Sequence, residues 1–118
     1  MLNYFLITDI CRDGEHEYYD YVPVETKMTR KELDDNKNFW EESFLAWQFG
    51  WIEQLYDDDW WADNRIVRIY GIQKLTKEQF EVFDELTGGW SLEKIIKYGE
   101  NDWMPSSENL EHYGLKEV

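Results

Sequence analysis

The residue types best suited to covalent chemistry lie near the start of the chain. Asp9, Cys11 and His16 flank a turn signal, Asp13-Gly14. If those two residues form a two-residue hairpin loop, Cys11 faces His16 directly across the strands. Asp9 then shares their face, because strand residues two apart point the same way. A thiol, an imidazole and a carboxylate so placed could generate a thiolate nucleophile. Two features oppose this. Acidic neighbours raise a thiol pKa and weaken the nucleophile, and a bulged three-residue loop would break the pairing. The plainer expectation is a small buried thiol beside a turn-proximal imidazole. A small cysteine-dependent enzyme using Cys11/His16 is therefore the alternative, and the leading expectation is a non-enzymatic protein with no catalytic residue.

The second group spans residues 38–64. It holds Glu41, Glu42, Glu53, Asp57, Asp58, Asp59 and Asp63, no Lys or Arg, and five of the seven tryptophans. Carboxylates can stand in for phosphates toward Arg and Lys, and indole faces attract cations. The expected partner-binding set is Glu41, Glu42, Glu53, Asp57, Asp58, Asp59, Trp60, Trp61 and Asp63, with the two adjacent tryptophans as anchors. A core helix with an acidic solvent side is the competing reading, since Trp and Tyr are enriched in cores and interfaces alike. Asp57, Asp58, Asp59 and Asp63 could also offer oxygens to a hard cation. They lack the turn glycine and closing glutamate of an EF-hand, so no metal is expected. His112 is the only other histidine, and no histidine pair stands at zinc spacing. No glycine-rich loop leads from a strand into a helix, so no nucleotide cofactor is expected. Arg65, Arg68 and Lys74 are expected to pair with the acidic segments.

Composition narrows the partners. The chain has 118 residues, 26 acidic and 12 basic, for a net charge of -14. Such a domain repels phosphate backbones and anionic lipid, so direct nucleic-acid or membrane binding is not expected and a basic protein surface is favoured. Seven Trp, eight Tyr and six Phe argue for a folded core. The single cysteine permits no internal disulfide. Without a visible signal peptide or membrane-length apolar run, the expected compartment is the cytoplasm of a bacterium or an infected host cell.

The elements that must position these residues follow from pattern. Leu2–Cys11 and Glu15–Thr26 read as the strands of a hairpin, with Pro23 placing the second at an edge or making it irregular there. Thr29 with Glu32 fits a capping box. Trp40, Phe44, Trp47, Trp51 and Leu55 make one stripe of a helix over Phe39–Tyr56, stopped by the three aspartates. Trp60-Trp61, Asp63-Asn64 and Arg65–Leu75 read as a second hairpin. Thr76 with Gln79 opens a helix that Gly88-Gly89 ends, and Ser91 caps a last short helix. Part of the tail from Glu100 is expected to pack through Trp103 and Tyr113. Residues 1–118 are expected to form one acidic α+β domain. Its antiparallel sheet of three to four strands carries two to three helices on one face.

Small size, strong acidity and the absence of catalytic motifs resemble small phage-encoded inhibitors that mimic nucleic acid, such as anti-CRISPR and anti-restriction proteins. The resemblance is one of profile and covers no aligned segment. It implies a protein-binding module that occludes the basic surface of a nucleic-acid-binding protein. The third reading is a soluble bacterial domain that homo-oligomerises, for example as a homodimer packing its exposed rings against a symmetric copy.

Overall fold

A computed structural model of the chain describes residues 1–55 and 58–99. Asp57, Trp103, His112 and Tyr113 lie outside the described residues. The order is β1 (Asn3–Asp13), β2 (His16–Thr26), α1 (Arg30–Asp35), α2 (Lys37–Phe49), β3 (Glu53–Gln54), β4 (Trp60–Ala62), β5 (Arg65–Leu75), α3 (Lys77–Thr87), β6 (Trp90–Ser91) and α4 (Leu92–Gly99). The α+β class is as expected. The sheet is larger than expected: it has six strands in the order β3-β4-β5-β1-β2-β6. It is also mixed, because β6 pairs with β2 in parallel.

Alternation along β1 sets the layers. Phe5, Ile7 and Cys11 face a core with Val22 and Val24 of β2, Trp60 of β4 and Val67 of β5. Trp40, Phe44, Leu45 and Trp47 of α2 and Leu92, Ile95 and Ile96 of α4 close that core from above. Trp40 Nε1 donates to the Leu33 carbonyl at 2.8 Å, so the buried indole loses no hydrogen bond. Tyr4 points away from this core, and its ring lies 5.0 Å from that of Phe80 in α3. The helices therefore occupy both faces, not one: α3 covers the Tyr4 end of the outer face.

Local signals explain most boundaries. Thr29 and Thr76 each accept from the backbone three residues on, while Glu32 and Gln79 reach back, completing both capping boxes. Asp63 and Asn64 both have positive φ, 47° and 65°, which is the type I′ geometry joining β4 to β5. The first hairpin departs from expectation by one position. Asp13 pairs with His16, so the loop is Gly14-Glu15, with Gly14 at φ 63° as a type II′ turn requires at its first position. The long helix also stops early. Gly50 takes φ 86° and donates to the Ala46 carbonyl, ending α2 and leaving Trp51 and Leu55 outside it and exposed.

Candidate interaction surface

The one-residue change in the hairpin decides the fate of the Cys–His pair. Cys11 stands opposite Tyr18, not His16, and His16 stands opposite Asp13. Cys11 is buried, and burial pushes its thiol pKa up; Arg65 opposes this, while Asp13, Asp20 and Asp9 push it higher. The cross-strand contact that an activated thiolate would need is not formed.

Asp9, by contrast, is an unusual group. It is fully buried at 0% exposure on the central strand and stands directly opposite Asp20. Burial pushes its carboxyl up to about 8, Asp20 adds to the rise, and the nearby Gln48 amide opposes it. Gln48 Nε2 donates to Asp20 Oδ2 at 3.2 Å. Gln48 Oε1 and both Asp9 oxygens have no hydrogen-bond partner among the described residues. A protonated carboxyl is the form of Asp9 that can donate to such an oxygen. Beside Asp9 the β1–β5 register shifts, with Thr8 opposite Gly71 and Asp9 opposite Ile69, so Tyr70 is the extra residue of a bulge.

The described acidic residues named from sequence are not all available to a partner. Glu41 is buried, and burial pushes its carboxyl up to about 7; Lys37 opposes this, Asp58 adds to it and Arg68 opposes it. Asp58 and Asp59 lie 4.0 and 3.7 Å from Arg68, which is the ion pairing expected of that arginine. Asp63 sits in the β4–β5 turn, and Glu42 and Glu53 are exposed. Trp60 belongs to the core, because alternation along β4 turns it inward with Val67. Trp60 and Glu41 are thus removed from the expected contact surface. A small cleft of about 160 Å³ between α1, α2 and β5 is lined by Arg30, Asp34, Lys37 and Glu41. Arg30 is already committed there to Asp34 and to the Ile72 carbonyl. Among the described residues no three of His, Cys, Asp or Glu group as metal ligands, and no helix is long and apolar enough to cross a membrane.

The outer sheet face gathers what the sequence left scattered. Glu53 stands beside Trp61, Trp61 beside Ile66, Ile66 beside Arg12, and Arg12 beside Glu17. The next rows bring Ile10 beside Tyr19 and Thr8 beside Tyr21. Tyr19, Tyr21, Tyr70 and Trp61 are 44%, 60%, 64% and 36% exposed, so four rings stand in solvent on one strand-built surface. Tyr19 and Tyr70 meet edge to face at 5.3 Å. Glu17 and Glu53 border the rings; Glu17 has Arg12 at 3.6 Å in an exposed pair of little energetic weight. Tyr19, Tyr21 and Tyr70 were missed from sequence, although the odd-numbered run Glu17, Tyr19, Tyr21 carries the alternation that places them together. No protein-family model, curated protein or solved structure matches this chain.

Proposed function

We propose that this chain is a non-enzymatic protein-binding module that docks through the outer face of its sheet onto a basic protein surface. The surfaces that best fit a domain of net charge -14 are those that otherwise hold nucleic acid, so occupancy would inhibit by occlusion. The supporting observation is the group of four solvent-facing rings, Trp61, Tyr70, Tyr19 and Tyr21, beside the carboxylates of Glu53 and Glu17. Amphipathic rings supply contact area with little side-chain entropy to lose, and their faces accept Arg and Lys. Large exposed rings on one face are what interaction surfaces show and what isolated domains avoid.

The test is a pull-down from native lysate at low and high salt, with the bound proteins identified. The expected partners are basic, leave at high salt, are displaced by added nucleic acid, and are lost with the double variant Trp61→Ala/Tyr21→Ser. Partners that are acidic, or that ignore both salt and the double variant, would contradict the reading.

A further inference from the structure

We infer that the edge of β2 between His16 and Pro23, unpaired among the described residues, is a strand-addition site for an extended, Lys- or Arg-bearing segment of a partner protein. This rests on the protein-binding reading above and names the partner's chemistry. Along its whole length β2 pairs with β1, but on its other side only Val24 and Glu25 are paired, with β6. No other described residue is hydrogen-bonded to the backbone there. Pro23 identifies which groups face outward. A proline in a paired strand must turn its nitrogen away from the ladder, because it has no N–H to give. Strand amides alternate in direction, so Glu17, Tyr19 and Tyr21 turn their N–H and C=O the same way as Pro23 does, to the open side. Eight residues of edge offer roughly 26 Å of template at about 3.3 Å per residue.

Charge selects the occupant. From Asp13 to Thr26 the chain carries Asp13, Glu15, Glu17, Asp20 and Glu25 and no Lys or Arg. Native edges are often defended by lysine; this one is acidic, which repels a second copy of the same chain and attracts a cationic strand. Tyr19 and Tyr21 flank the edge with exposed rings within reach of an added strand's ammonium or guanidinium groups. Main-chain pairing would supply affinity and the alternate cationic side chains specificity.

The probe is an eight-residue peptide of alternating Lys and Thr with blocked termini. Its comparison is the same peptide N-methylated at alternate residues, which keeps the charge and removes the backbone donors. Binding is followed by amide exchange and titration at low salt. The unmodified peptide should slow exchange at Glu17, Tyr19 and Tyr21. N-methylation, or Tyr21→Pro in the protein, should weaken it by about tenfold or more, the scale of two lost hydrogen bonds. The N-methylated peptide tests the unaltered protein, so the result stands even if Tyr21→Pro fails to fold. Equal binding of both peptides overturns the strand-addition inference and leaves a module that docks by charge. Binding by neither overturns both. A dimer of the protein alone that protects the same three amides, and that strengthens with salt, gives the edge to a second copy and overturns the inference.

Discussion

The two sides of the central sheet manage their exposed backbone differently. On the β5 side, β4 reaches only as far as Val67, and beyond it one side chain reaches a backbone group of the strand. Arg30 donates to the Ile72 carbonyl at 2.9 Å, and Arg68 gathers Asp58 and Asp59. On the β2 side, β6 reaches only Val24 and Glu25, and no described side chain takes over. Two strands of eleven residues, flanked by strands of three and two, thus differ among the described residues: one receives a side-chain hydrogen bond beyond its short neighbour and the other does not. The β5 side recruits an arginine to one of its carbonyls, and residues 13–26 hold no Lys or Arg that could do the same for β2.

The strand between the two edges gives the largest expected effect. Asp9 of β1 faces Asp20 of β2, and its carboxyl lies at about 8 in the fold against 3.8 as an isolated group. A folded pKa above the unfolded value means that the native state holds the proton more tightly. The stabilisation is fully present below about pH 4 and is lost as pH rises through about 8. The loss is on the order of a few kcal/mol. Glu41, pushed up to about 7, adds a change of the same sign over a narrower range. Denaturant midpoints should therefore fall between pH 5 and pH 8. Asp9→Asn, which mimics the neutral acid, should flatten the fall.

The next effect separates the inner from the outer amides of β2. Val22→Pro removes an amide that faces β1 and disturbs a buried side chain, so it should cost about 3 kcal/mol or more. Tyr21→Pro removes an amide that faces outward and should cost about 1 kcal/mol or less. Equal costs in urea unfolding would mean that the outward assignment is wrong. Freeing the Ile72 carbonyl is a smaller change: Arg30→Ala should cost about 1 kcal/mol and speed exchange in β5. Smallest of all, Glu17→Gln should move stability by about 0.5 kcal/mol or less, because its pair with Arg12 is exposed. It should still weaken binding of a cationic peptide.

Much of this contrast could be read before any coordinates, and its decisive details could not. Capping boxes at Thr29 and Thr76 and the Asp63-Asn64 turn are local chemistry, so the sequence places them correctly. Pro23 suggests an edge, but β2 lies inside the sheet between β1 and β6; β6 begins only at Val24, just past the proline. Two-residue strands such as β3 and β6 have no periodicity to detect, which hid both ends of the sheet. Gly50 is tolerable within a helix or able to end one, and only packing chooses. A glycine can fill either central position of a two-residue loop, and that choice moved His16 away from Cys11. Acidity alone could not separate Glu41, which is buried, and Asp58 and Asp59, which are paired, from Glu42 and Glu53, which are free to face a partner.

Backbone amide exchange along β2 in the isolated protein tests the open edge most directly. Glu17, Tyr19 and Tyr21 should exchange close to the rate of an unstructured peptide, while Tyr18, Asp20 and Val22, turned toward β1, stay protected. Uniform protection from His16 to Val22 would mean that the edge is already covered, and with it the proposed strand-addition site would be lost.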